Sequence, residues 1–305
     1  MKILFRADSS STIGTGHIMR DLVLAKQYPN AEIIFATQKL EGNINHKIKE
    51  AGYEIEILKS NDIDELDAMI KKKEIDLLVI DHYGIAYEDE KILKTNNPKL
   101  KILSFDDTYE RHYCDILLNH NISADVSRYK GLVPNGCELR CGSRYTLLRD
   151  EFYKYKRKKR APINKRRSKI KVFLAMGGAD HSNINIKILK VIENFKNIEV
   201  ILVTTTANRH LKELKNYCKN KKWIKLHINS NMIAKLMSRS DFAIVTPSVT
   251  LNEIYFMNIP FIAIKSAGNQ KDINNYLKKN RFLQMDKYNK KYLIDKIKIL
   301  KDKLR

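Results

Sequence analysis

A histidine at the mouth of a glycine loop is the first place where this sequence could do chemistry. Asp8-Ser9-Ser10-Ser11-Thr12-Ile13-Gly14-Thr15-Gly16-His17 combines small residues, two glycines and an imidazole. Gly14 and Gly16 let backbone approach a ligand closely, and a helix opening here offers its first amides to an anion. On that first turn the helix dipole disfavours imidazolium, so His17 is placed to stay neutral and act as a base near pH 7. A histidine that only caps or packs is the plain alternative. The loop is not a Walker motif, because no Gly-Lys-Ser/Thr follows, and it lacks the third glycine of a dinucleotide fingerprint.

Five further groups have chemistry-bearing composition. Asp81-His82-Tyr83-Gly84 follows a strongly apolar run, and Asp106-Asp107 follows Leu103-Ser104-Phe105. Paired acids can hold a metal or sugar hydroxyls, but no further acid or His follows at metal spacing, so a structural or sugar-binding role is favoured. Met176-Gly177-Gly178-Ala179-Asp180 repeats the order apolar run, glycine loop, helix, and reads as a phosphate cradle. In Thr246-Pro247-Ser248-Val249-Thr250-Leu251-Asn252-Glu253, Ser248 is placed to cap a helix and Glu253 stands in its second turn. A carboxylate there can accept both ribose hydroxyls while the helix N-terminus faces a diphosphate; a plain capping-box-like start is the alternative. Asn269-Gln270 follows the apolar run Phe261-Ile262-Ala263-Ile264.

These groups need elements to position them. Apolar runs at 3–5, 32–36, 54–58, 76–81, 101–105 and 114–118 predict strands, and helical spacing recurs at 17–25, 45–51, 62–73 and 89–94. The stretch 119–151, with Gly131, Pro134, Gly136 and Gly142, reads as loops. The rhythm restarts with strands at 170–176, 200–204, 224–228, 242–245 and 261–264, helices at 183–192, 211–219, 232–239, 248–256 and 270–279, and a basic helix at 290–304. Such alternation means α/β folding: parallel sheets covered on both faces. The expected architecture is two Rossmann-like, doubly wound domains facing a cleft, at residues 1–155 and 170–305, with a linker at 156–169. In such sheets ligands sit beyond the carboxyl ends of the strands, where all the singled-out residues fall.

The chain has 305 residues, 43% of them hydrophobic, which excludes global disorder. Lys and Arg number 57 against 35 acids, a net +22. That balance first suggests nucleic acid or an anionic surface. The densest basic stretch, 154–171, holds eleven basic residues and no acid, and reads as a solvated linker, with phosphate or membrane contact as the functional alternative. Cys114, Cys137, Cys141 and Cys218 form neither a disulfide framework nor a zinc pattern. The N-terminus turns polar after five residues and has no signal-peptide core, and no apolar run reaches membrane length, so a cytoplasmic location is expected.

RADSSSTIGTGHIMRDLVLA, VIDHYG, LSFDD, CDILLN, GLVP followed by CE, FLAMGGAD and the Ser-x-x-x-Asn-Glu helix together resemble one family, from Met1 to about Leu283. It is the UDP-2,4-diacetamido-2,4,6-trideoxy-β-L-altropyranose hydrolases of pseudaminic acid biosynthesis. The resemblance implies the GT-B fold, shared with the peptidoglycan N-acetylglucosaminyltransferase, and release of UDP by hydrolysis without metal or other cofactor. It implies that His17 is the general base activating water for attack at the anomeric carbon. Gly14 and Gly16 match the family's first loop, and Tyr83 the tyrosine near the sugar. Gly177 and Gly178 match the loop near the diphosphate. Asn252 and Glu253 match the nucleotide helix, with Glu253 on the ribose, and Asn269 and Gln270 match the Asn-Gln pair over the cleft.

The expected partner is thus a UDP-sugar, with no nucleic acid and no integral membrane segment; the basic linker leaves a membrane-surface or partner contact open. One alternative is a glycosyltransferase on the same fold, passing the sugar to a lipid or hydroxyl acceptor. A nucleic-acid binder would show steeply salt-dependent DNA binding. A UDP-sugar 2-epimerase would favour carboxylates around the sugar.

Overall fold

The computed structural model describes residues 1–156, 169–180 and 182–304. The expected linker at 156–169 lies, apart from its two end residues, outside the described residues. By contact the chain divides into two compact units, Met1–Leu148 and Arg149–Arg305.

In the first unit the order is β1 (Lys2–Ala7), α1 (Gly16–Ala25), β2 (Glu32–Gln38), α2 (Asn45–Glu50), β3 (Glu54–Leu58), α3 (Ile63–Lys73), β4 (Leu77–Asp81), α4 (Tyr87–Asn96), β5 (Lys101–Phe105), β6 (Ile116–Asn119) and β7 (Glu138–Cys141). All strand pairs are parallel, in the spatial order β3-β2-β1-β4-β5-β6-β7. Alternate residues of the strands fill two cores: Leu4, Ile34, Leu78 and Ile102 on one face, Ile3, Phe5, Phe35, Val79 and Leu103 on the other. That is why β4 reads as an unbroken apolar run, each such side chain contributing roughly 1.5–3 kcal/mol on burial. Asp62 caps α3 by accepting from the Asp64 amide at 3.0 Å, and Lys71, Lys72 and Lys73 close its last turn.

The second unit runs α5 (Asp150–Tyr155), β8 (Ile170–Ala175), α6 (Ile184–Ile192), β9 (Ile198–Thr204), α7 (Leu211–Cys218), β10 (Ile224–Ile228), α8 (Ile233–Ser238), β11 (Phe242–Val245), α9 (Val249–Phe256), β12 (Phe261–Ile264), α10 (Lys271–Lys279), β13 (Leu283–Met285) and α11 (Lys290–Leu304). Its parallel sheet has the order β10-β9-β8-β11-β12-β13. Ile188, Leu189 and Ile192 of α6 and Leu293, Ile297 and Leu300 of α11 bury one face with Val172, Leu174 and Ile244.

The structure corrects the reading of 119–151 as loops: β7 lies there, and α5 begins there. Strand β13 was likewise not expected. Both strands sit at sheet edges, paired on one side only, so neither needs a continuous apolar run. Each sheet reverses its order of addition once, between β1 and β4 and between β8 and β11. At such a switch point the two loops leave in opposite directions and open a crevice at the carboxyl ends. Asp8 to Gly16 follows β1, His82 to Gly84 follows β4, Met176 to Asp180 follows β8, and Thr246 to Ser248 follows β11.

Candidate functional site

At the β1/β4 switch point the last pair in register is Ala7 with Asp81. The loop after β1 closes on itself: Ser10 and Gly14 exchange backbone bonds of 3.2 and 2.8 Å. The Ser10 hydroxyl accepts from the amides of Thr12 and Ile13. Gly14 at φ +89° makes that closure possible, and Gly16 starts α1 with open space at its α-carbon. The chain then delivers His17 on the first turn of α1.

His17 Nδ1 lies 2.6 Å from Asp81 Oδ1, and its side chain is only 11% exposed. Arg20, one turn later on α1, binds both Asp81 oxygens, its Nε donating to Oδ2 at 2.5 Å. Burial works to raise the Asp81 carboxyl, but the Arg20 charge overrides it and holds the group well below the usual carboxylate range. An ionised Asp81 accepting from Nδ1–H fixes the tautomer that leaves the lone pair on Nε2. The Arg20 guanidinium stacks 4.7 Å over Phe105 and lies 3.4 Å from His120 Nε2. Burial, with Arg20 beside it, pushes His120 down to about 3, so it is neutral. Asp21, fully buried, has neither oxygen hydrogen-bonded among the described residues. Burial first, and then the Asp81 charge, push its carboxyl well above the usual range.

Tyr83 is 64% exposed and meets the His17 ring edge-on at 5.2 Å. Its hydroxyl donates to Asp107 at 3.0 Å, and Asp107 lies 3.9 Å from Arg20. The two neighbouring acids therefore divide their roles. Asp106 is buried and structural, accepting from Thr108, Tyr109 and Tyr129, whereas Asp107 joins the His17 cluster. His82 turns away from the cluster: its Nε2 lies 3.2 Å from Asp8, which is also paired with the buried Arg6 at 2.8 Å.

The second unit has its own cluster at the β8/β11 switch point. Gly177 has φ +80°, and a Cβ on Gly178 would come within 2.9 Å of the Thr205 hydroxyl, so both glycines answer a geometric demand. Asp180, expected to be part of a phosphate cradle, instead accepts from the amides of Ile184 at 2.8 Å and Asn185 at 3.1 Å. A carboxylate therefore already occupies the N-terminus of α6. At α9 the reverse holds. Ser248 stands at the N-cap, yet its hydroxyl makes no cap bond, and the first turn carries no acid. The capping expected of Ser248 is not made. Thr246 shares a 3.0 Å hydroxyl contact with Ser266, whose amide donates to Gln270 Oε1 at 2.8 Å. Asn269 beside it is exposed, and Asn252 is buried on α9.

Glu253 in the second turn of α9 lies 3.7 Å from Arg149. Burial pushes its carboxyl up to about 7, opposed by Arg149 and reinforced by Glu151.

The structure thus joins His17 with Tyr83, and Gln270 with the loop after β11. Arg20 and Arg149 were not singled out from the sequence, and Asp81, Asp107 and Thr246 stood there only as members of groups marked by composition. The available signal was position: Asp81 ends the most apolar strand, and Arg20 follows His17 by one helical turn.

No family model matches the chain. It is 42% identical over 288 residues to the UDP-2,4-diacetamido-2,4,6-trideoxy-β-L-altropyranose hydrolase of Campylobacter jejuni, spanning 94% of this chain and 100% of that one. Among solved structures it superposes on Acinetobacter baumannii MurG with a TM-score of 0.65 at 10% identity, covering 99% of this chain and 92% of the other. Anabaena Alr3699/HepE, solved in complex with UDP-glucose, gives a TM-score of 0.62 at 15% identity, covering 99% and 90%. These likenesses carry the fold, which is the expected GT-B class.

Proposed function

The chain belongs to the UDP-2,4-diacetamido-2,4,6-trideoxy-β-L-altropyranose hydrolase family, and we propose that it hydrolyses that UDP-sugar to UDP and the free sugar, without a metal, in pseudaminic acid biosynthesis. The observation that carries the mechanism is the 2.6 Å contact of His17 Nδ1 with an Asp81 locked by Arg20. In that arrangement His17 Nε2 takes a proton from water as the water oxygen attacks the anomeric carbon. The glycosidic C–O bond breaks on the opposite face, so the anomeric centre inverts. Asp81 stabilises the imidazolium that forms, and Tyr83 stands beside the sugar.

UDP is a good leaving group and needs charge stabilisation more than a strong acid. The α9 N-terminus, free of a Ser248 cap and of first-turn acids, supports that role, with the Gly177-Gly178 loop beside it. Glu253 accepts the ribose hydroxyls, Asn252 shares its helix, and Asn269 and Gln270 complete the substrate contacts. Gly14 and Gly16 shape the loop that presents His17. The protein acts in the cytoplasm, where nucleotide-sugars are made and consumed; among the described residues no helix is long and apolar enough to cross a membrane.

The test is incubation of the protein with the UDP-sugar in EDTA and no acceptor, with NMR detection of products. Free sugar and UDP are expected from the wild type. His17→Asn should bind the UDP-sugar normally and lose turnover by about 10²–10⁴-fold. Turnover only in the presence of an acceptor would make the protein a transferase, and a fully active, folded His17→Asn would remove His17 from the base role.

A further inference from the structure

We propose that Cys137 and Cys114 form a peroxide-oxidised thiol pair, a modification site at the opposite end of the first sheet from His17. The two sulfurs lie 3.8 Å apart. Cys114 is 4% exposed, just before β6, and Cys137 is half-buried, just before the edge strand β7. Both side chains pack on the same face of the sheet, Cys114 within its core and Cys137 at its margin. Strands β6 and β7 pair in parallel from Ile116 with Glu138 onward, so the two cysteines stand at the entry of adjacent strands. Asp81 and Asn119, by contrast, stand at strand carboxyl ends.

The pair divides into attacking and resolving thiols. Cys137 is held below the ordinary thiol range, chiefly because the Cys114 thiol donates to it. Cys114 is pushed up by that same bond and by burial, and burial pushes Cys141 and Cys218 up to about 11. Cys137 is therefore the thiolate-forming sulfur, and thiolates are what react with peroxides. Its backbone leaves a turn in which its amide donates to Pro134 at 3.1 Å and Gly136 has φ +92°. That turn, rather than the buried Cys114, supplies the movement needed to close 3.8 Å to the ~2.0 Å of an S–S bond.

The Cys137 thiolate attacks one oxygen of hydrogen peroxide. An S–O bond forms, the O–O bond breaks, and hydroxide leaves. The Cys114 thiol then gives its proton to that hydroxide, and its sulfur attacks the Cys137 sulfenic acid. The S–S bond forms as the S–O bond breaks and the oxygen departs with its hydrogen as hydroxide, which takes up the proton that the Cys137 thiol released on ionising. Two thiols and one peroxide become one disulfide and two waters.

The experiment treats the full-length protein with hydrogen peroxide, then measures intact mass and maps peptides without reduction. A Cys114–Cys137 cross-link that dithiothreitol reverses is expected, with unchanged UDP-sugar turnover and a melting temperature raised by several degrees. Cys137→Ser should abolish the cross-link, and Cys141→Ser should leave it intact. In Cys114→Ser, dimedone should label Cys137 as a lasting sulfenic acid. A wild type left as free thiols, carried on to Cys137 sulfinic acid, or linked between Cys137 and Cys141 would each overturn the proposal. Because the wild-type peptide map decides this, the proposal does not depend on the folding of Cys114→Ser.

Discussion

At the scale of the residue, the chemistry turns on what surrounds His17 and Glu253. His17 was visible in the sequence because it ends a glycine loop, but its partners were not. Asp81 lies 64 positions away and reaches Nδ1 only because β1 and β4 pair with Ala7 opposite Asp81. The dipole argument for His17 concerned one helix end; the structure adds a carboxylate from another strand and a guanidinium one turn along the same helix. Glu253 was likewise legible as a candidate ribose contact, whereas the burial that pushes it to about 7 was not. This shift has a consequence for stability. With its folded value above the ordinary 4.5, Glu253 holds a proton in the native state, and the stability it contributes is lost as pH rises through about 7. Glu253→Gln should therefore unfold at higher denaturant concentration than the wild type at pH 8, by up to about 3 kcal/mol, with the gain shrinking as pH falls and vanishing below about pH 4.5. The same variant should bind a UDP-sugar more weakly, and wild-type affinity should rise between pH 6 and 8 as the carboxylate forms. A pH-independent affinity in the wild type would take Glu253 off the ribose.

At the scale of the element, the switch points explain why the chemistry-bearing residues cluster. The loops after β1, β4, β8 and β11 follow the strands that flank a reversal of strand order, while Asp106-Asp107 and Asn269-Gln270 follow the next strands over, β5 and β12. The long apolar strands were legible because burial on two faces demands unbroken hydrophobicity. The elements that were missed are β7 with four residues, β13 with three and α5 with six. Glu138-Leu139-Arg140-Cys141 and Leu283-Gln284-Met285 are edge strands, and their stability comes from pairing rather than from a pattern. Nor could spacing show that Asp180 turns back onto α6 while Ser248 leaves α9 uncapped by its side chain. The glycine loop after β8 makes a packing prediction of its own. Gly178→Ala should destabilise the protein by about 1–3 kcal/mol through contact with Thr205. Adding Thr205→Ala should recover part of that loss, giving a coupling of about 0.5 kcal/mol or more in urea unfolding. Additive effects would mean that the close approach is relieved elsewhere.

At the scale of the whole molecule, two α/β units of similar size account for nearly the full chain, as the alternation of strands and helices indicated. The charge of +22 suggested nucleic acid from composition alone. A family relative at 42% identity and a GT-B fold redirect that charge towards a UDP-sugar, itself a dianion. An excess of positive charge raises the encounter rate with an anion and is screened by salt over about 8–10 Å at 0.1–0.15 M. Raising sodium chloride from about 20 to 200 mM should then lower kcat/KM several-fold and leave kcat nearly unchanged. A salt-independent kcat/KM would assign the charge no part in substrate capture. The claim on which the rest depends is that water attacks carbon, not phosphorus. Hydrolysis of the UDP-sugar in H2¹⁸O, followed by mass spectrometry of the released UDP, tests it directly. Unlabelled UDP is the predicted result, because the glycosidic oxygen stays on the diphosphate when the anomeric C–O bond breaks. UDP carrying ¹⁸O on its terminal phosphate would contradict the account.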